Sequence, residues 1–135
     1  MTVAVAHQHS QTSKAVLSHG AREAKLRQTD LVVINIVEAL DLDAKAALEA
    51  GLTDEIQQVL DDTGAGDMSW QLQVGAEDED VAGAVIGLAE AADAEVLVIG
   101  ARRRSPLGKF LLGSATQTII LDAPMPVLVI KNDPV

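Results

Sequence analysis

Apolar positions along this chain switch repeatedly between short runs with the period of a strand and longer stretches with the period of a helix. Thr2-Val3-Ala4-Val5-Ala6 reads as a first strand. Ser10 to Ser13 then offer N-cap candidates, and a helix follows to about Arg27, with Leu17, Ala21 and Ala24 at helical spacing. Leu31 to Val37 is an apolar run broken only by Asn35, the pattern of a strand covered on both faces. Asp43 is expected to cap a second helix running to about Asp62, with Leu48, Leu52, Ile56 and Val59 on one face. Gly64 and Gly66 end that helix.

The second half repeats the alternation. Trp70-Gln71-Leu72-Gln73-Val74 alternates strictly, so one face of this strand is more polar than the other. Glu77 to Asp80 set acidic charge at the start of a third helix, where the macrodipole favours it, and Val81, Val85 and Leu88 form its expected buried stripe. Glu95 to Ile99 is a fourth strand. Gly113 or Ser114 opens a fourth helix, Pro124 stops it, and Pro126 to Lys131 is the last strand. The order βαβαβαβαβ predicts an α/β fold: a five-stranded parallel open sheet with helices on both faces, as one domain over residues 1–135.

Composition narrows the chemistry. Of 135 residues, 48% are hydrophobic, yet Trp70 and Phe110 are the only aromatics. That leaves no stacking platform for single-stranded nucleic acid. A net charge of −10 opposes DNA, RNA and anionic membranes as partners. The absence of cysteine removes thiol catalysis, disulfides and zinc-thiolate sites, and suits a reducing compartment. Met1 to Ala6 lacks the basic flank and long apolar core of a signal peptide, and no stretch reaches membrane-spanning length. A cytoplasmic protein is expected.

Against this acidic background, four of the ten basic residues (Arg102, Arg103, Arg104 and Lys109) cluster between the fourth strand and the fourth helix. The cluster is read as a loop beginning at Gly100 and ending at Gly113-Ser114. Ligands of open α/β sheets sit beyond the carboxyl ends of the strands, and free amides at a helix start attract anions. Ser114 could donate to a phosphate oxygen, Gly113 lacks the Cβ that would hold it away, and Arg103 and Lys109 could add charge-assisted bonds. The spacing fits neither a Walker loop nor a dinucleotide turn. The same residues also fit a plainer reading, in which Gly100 ends a strand, Ser114 caps a helix and the arginines are solvated. Elsewhere, His7-x-His9 with His19 lacks the further ligands of a metal site, and no Ser–His–Asp arrangement stands out.

The stretch Val98-Ile99-Gly100-x2-Arg103-x9-Gly113-Ser114, followed by Ala123-Pro124-Met125-Pro126-Val127-Leu128-Val129-Ile130, resembles the C-terminal signature of the universal stress protein family. Val74-Gly75 before an acidic helix and Val32 to Glu38 before a polar break fall where that family has them. The resemblance implies a Rossmann-like sheet of the adenine nucleotide alpha hydrolase type and, in one branch, ATP held by the loop. It implies a cofactor-binding set of Ala6, His7, Ile36, Gly100, Arg103, Gly113 and Ser114, with Ile36 lining the adenine pocket. It does not imply catalysis; the loop shows no general base and no carboxylate for magnesium. Two positions depart from the pattern. Arg103 stands at the middle glycine, where it either clamps phosphates or fills their space. Ala6-His7-Gln8 stands where ATP-binding members end the first strand in aspartate.

The last strand adds a partner. Val127 to Ile130 is strongly apolar, and a final strand at a sheet edge invites pairing with a second chain. Pro126 is tolerated at its start. A homodimer formed by antiparallel pairing of residues Pro126 to Lys131 with their twofold mates is expected, as the family resemblance also implies. Two functions are therefore carried forward: an adenine-nucleotide-binding stress protein, and a dimeric regulatory scaffold of the same fold that binds no nucleotide.

Overall fold

The computed structural model describes residues 1–7, 12–37, 42–76, 80–103, 110–111 and 113–132; at 12–13, 37, 42–43, 76, 102–103, 110–111 and 132 it describes the backbone alone. Its elements run β1 (Thr2–Ala6), α1 (Thr12–Leu26), β2 (Asp30–Val37), α2 (Leu42–Asp62), β3 (Trp70–Ala76), α3 (Val81–Ala91), β4 (Ala94–Arg103), β5 (Phe110–Leu111), α4 (Ser114–Asp122) and β6 (Val127–Asn132). The five long strands form one parallel sheet in the spatial order β3-β2-β1-β4-β6. The chain winds from β1 outward through β2 and β3, then returns to β4 and β6 on the other side. The order therefore reverses between β1 and β4, which is where open α/β sheets form their crevice.

Alternation within each strand feeds two cores. Val3, Val5, Leu31, Val33, Val96 and Val98 point to the face covered by α1 and α2, against Leu17, Ala21, Leu52, Ile56 and Leu60. Ala4, Val32, Ile34, Leu97 and Ile99 point to the face covered by α3 and α4, against Val85, Ala89 and Ile119. Burial of both faces is why the middles of the central strands carry apolar residues at consecutive positions, with Asn35 of β2 the polar exception. β3 is an edge strand, and its alternation of half-buried and exposed residues from Trp70 to Val74 follows from that place.

Several expectations shift in detail. α2 begins at Leu42, so Asp43 lies inside its first turn and not before it. The buried stripe of α3 is Ala82, Val85 and Ala89, with Val81 and Leu88 half-buried beside it. Asp80 caps α3 by accepting from the Ala82 amide at 3.0 Å, while residues 77–79 lie outside the described residues. The largest correction concerns the fourth strand. β4 runs on through Gly100, Ala101, Arg102 and Arg103, since β6 pairs with it as far as Arg102↔Asn132 and β5 adds an antiparallel sixth strand at Arg102↔Leu111 and Arg103↔Phe110. Residues 100–103 are thus strand, where a loop was expected; Arg104 and Lys109 lie outside the described residues.

Helix ends follow ordinary capping physics. Gly64, at φ +82°, closes α2 through bonds from the Ala65 amide to Leu60 and from the Gly64 amide to Asp61. Gln28, at φ +56°, makes the same turn after α1 without a glycine. Next to it, the Arg27 guanidinium bonds Glu23 at 3.0 Å and Glu95 at 3.1 Å, tying the end of α1 to the start of β4. The bond to Glu23, then that to Glu95, raises the Arg27 pKa further above its ordinary value.

Two helical glycines have opposite reasons for being there. A Cβ at Gly20 of α1 would collide with Val5 Cγ2 of β1, whereas one at Gly51 of α2 would meet nothing within 4 Å. Gly20→Ala is expected to destabilise the fold by about 1–3 kcal/mol through overpacking. Gly51→Ala is expected to stabilise it by about 1 kcal/mol through helix propensity. Urea unfolding of the two variants checks both signs.

Candidate functional site

The carboxyl ends of β2, β1 and β4 lie side by side, and of the residues singled out by sequence Ala6, His7, Ile36 and Gly100 lie there. Register pairs Ala6 with Ile34 and Val5 with Val98, so His7 and Gly100 stand level across the switch point, two residues beyond the last β1–β4 pair. Ile36 is half-buried near the end of β2, on the α3 side of the sheet, as is Ala6 on β1. The site thus has two strand ends and a hydrophobic flank already fixed by the sheet.

His7 follows the last residue of β1. Its ring turns to the α1–α2 side, 2% exposed, with Nε2 3.8 Å from Oε1 of Glu55 on α2. Its backbone is held from both directions: the amide donates to the Ile34 carbonyl at 2.8 Å, and the Asn35 side-chain amide donates to the His7 carbonyl at 3.1 Å. Asn35 is itself 5% exposed. The lone polar break in the apolar second strand therefore ties together the ends of β1 and β2. Sequence reading noted Asn35 without giving it a role; a buried amide in a covered strand needs a partner, and that was the available signal. Glu55 carried no such signal, because its neighbour comes from a distant element.

The glycines divide into two kinds. At Gly100 a Cβ would stand 2.8 Å from Val16 Cγ2 of α1. Its bare backbone therefore has a packing reason, since it lets α1 lie down on β4. At Gly113 a Cβ would meet nothing within 4 Å, and the backbone (φ −65°, ψ 163°) suits any residue. Among the described residues, neither packing nor conformation requires glycine there. Gly113 is the N-cap of α4, and its carbonyl accepts the first helical bond from the Gln117 amide at 3.0 Å. The amides of Ser114, Ala115 and Thr116 precede that bond, so helix geometry provides them with no intrahelical acceptor. Gly113 and Ser114 are both exposed. The backbone of Arg103 ends β4, beside β5.

A cavity of about 300 Å³ opens elsewhere, at the amino ends of β2 and β3, lined by Lys25, Thr29, Asp30, Ala65, Met68 and Ser69. It is at the opposite end of the sheet from the switch point and takes no part in the site. Among the described residues, no helix is long and apolar enough to cross a membrane.

This arrangement has close relatives. The model of the universal stress protein family matches residues 1–131. The chain belongs to the universal stress protein family. A universal stress protein from Mycolicibacterium smegmatis is 38% identical over 120 residues, covering 87% of this chain and 88% of that protein. Among solved structures, a universal stress protein from Archaeoglobus fulgidus matches with a TM-score of 0.78 at 28% identity, covering 97% of this chain and 98% of the other. A universal stress protein from the same organism in complex with dAMP matches with a TM-score of 0.72 at 24% identity, covering 97% and 98%. The family's five-stranded parallel sheet is the one described above.

The two glycines give a direct test of which parts of the site serve packing. Gly100→Ala is expected to cost about 1–3 kcal/mol, and less in a Val16→Ala background that removes the obstructing methyl. Gly113→Ala is expected to stay within about 0.5 kcal/mol of the parent. Thermal unfolding of the four variants distinguishes these outcomes.

Proposed function

We propose that this protein is a cytoplasmic, one-domain adenine-nucleotide-binding protein of the stress response, with ATP as its ligand. The observation that carries the reading is Gly113. Among the described residues nothing occupies the space a side chain would take there, and it stands exposed at the start of α4, before amides with no intrahelical acceptor. Open space also marks Gly51 inside α2; Gly113 differs in standing directly before the free amides of a helix start, where a phosphate can approach. The dAMP bound by the similar Archaeoglobus protein supports an adenine nucleotide as the occupant.

The roles follow from position. The α4 amides and the Ser114 hydroxyl receive phosphate oxygens, with the helix dipole adding partial positive charge. Arg103 supplies one of the four cations that this chain of net charge −10 gathers between Gly100 and Gly113. Ile36 and Ala6 flank the base and ribose from the α3 side of the sheet. His7 contributes its backbone, pinned by Ile34 and Asn35, while its ring stays beneath α2. Nothing in this reading requires turnover of ATP.

A second reading rests on Arg103 itself, which replaces the glycine of the family signature. In that reading its guanidinium fills the phosphate space and the protein is a dimeric scaffold that takes no nucleotide. Calorimetry separates the two. Under the nucleotide reading, ATP binds the parent, Gly113→Val binds at least tenfold more weakly at unchanged stability, and Arg103→Gly binds more weakly. No heat from the parent at millimolar ATP, with binding appearing in Arg103→Gly, establishes the scaffold.

We further propose a homodimer through β6. Among the described residues, β6 pairs with β4 on one side alone; Val127, Leu128 and Val129 are half-buried, and Leu121 on the preceding helix is 80% exposed. Such an edge suits isologous strand pairing. Light scattering coupled to size exclusion should give twice the 14.1 kDa chain mass at micromolar concentration, and Val129→Lys should return the monomer. A monomeric parent contradicts the proposal.

A further inference from the structure

We propose that Gly75 is a positioning residue for the base-binding end of the site, acting through Ile36. The inference rests on the nucleotide reading above and adds to it a residue that sets the shape of the base pocket. Gly75 on β3 and Ile36 on β2 are register partners in a parallel pair, so they are neighbours on the same face of the sheet. Leu88 of α3 closes over them from above. A Cβ on Gly75 would stand 2.9 Å from Leu88 Cδ1 and 3.0 Å from Ile36 Cδ1.

Two side chains thus converge with their terminal methyls on one bare stretch of backbone. Gly75 is absent from the positive-φ glycines, so it supplies space here and not conformational freedom. Ile36 is β-branched and stiff about χ1. Its δ-methyl lies toward Gly75 and so toward the β3 edge, away from β1. The empty position at Gly75 draws it to the edge and leaves the strand ends open. Leu88 holds it there. An apolar wall at a base site is sensitive to one methyl group, so filling the Gly75 position narrows the pocket from outside it.

The test is a double-mutant cycle read by ATP calorimetry, with Ile36→Val removing the δ-methyl through which Gly75 acts. Gly75→Ala is expected to weaken ATP binding roughly tenfold, the usual scale for one misplaced methyl in an apolar pocket. In the Ile36→Val background the same change is expected to cost less than about threefold, because the coupled group is gone. Leu88→Ala in the Gly75→Ala chain reopens the space and restores affinity. In the free protein, the Ile36 δ1-methyl NMR signal moves in Gly75→Ala while the Gly113 amide stays in place. Parent-like ATP affinity in Gly75→Ala, or an equal loss in both backgrounds, overturns the inference and leaves the nucleotide reading standing. A parent that binds no ATP overturns the nucleotide reading, and this one falls with it.

Discussion

The closeness of α1 to the sheet is the constraint on which the rest of this structure depends. There is no room for a Cβ at Gly20 against Val5, nor at Gly100 against Val16. One helix therefore lies flat across β1 and β4, the two strands between which the order of the sheet reverses. Interiors pack at the density of organic crystals, so such an approach fixes its partners to within a fraction of an ångström. His7 at the end of β1 and Gly100 within β4 inherit that precision. Asn35 extends it sideways by binding the His7 carbonyl, which locks the end of β2 to the end of β1.

Much of this was legible in the sequence because it follows from period and punctuation. Two-sided apolar strands, the glycine at the end of α2, the proline after α4 and the edge alternation of β3 each reflect a local rule. What escaped was set by partners distant in sequence. The strand extends through Gly100 to Arg103 because β6 and β5 supply hydrogen-bond partners there, and nothing in the run Ala101-Arg102-Arg103 announces it. The same applies to His7. Its position after the first strand suggested a ligand anchor, but the ring is on the α2 side beside Glu55, a neighbour contributed from 48 positions away. Asn35 lies between these cases, since its polarity within an apolar run was visible and its partner was not.

The glycines show why a signature has to be taken apart residue by residue. Gly100, Gly113 and Gly75 all lie near the proposed site, and each lacks a Cβ for a different reason. At Gly100 the space belongs to α1, at Gly75 to Ile36 and Leu88, and at Gly113 to no atom of the described chain. Only the last speaks directly for a ligand. The charge pattern agrees with it: a chain with twice as many acidic as basic residues places four of its ten cations between Gly100 and Gly113. An anion approaching elsewhere meets a repulsive field.

The central claim is that a nucleotide lies across the β1–β4 switch point with its phosphates on the start of α4. Amide NMR of the ¹⁵N-labelled protein titrated with ATP tests this residue by residue. The account predicts saturable shifts concentrated at Ala6, His7, Ile36, Gly100, Gly113, Ser114 and Ala115, with the amino-end groove around Lys25 and Ser69 unmoved. An unchanged spectrum at millimolar ATP, or shifts centred on that groove, contradicts it.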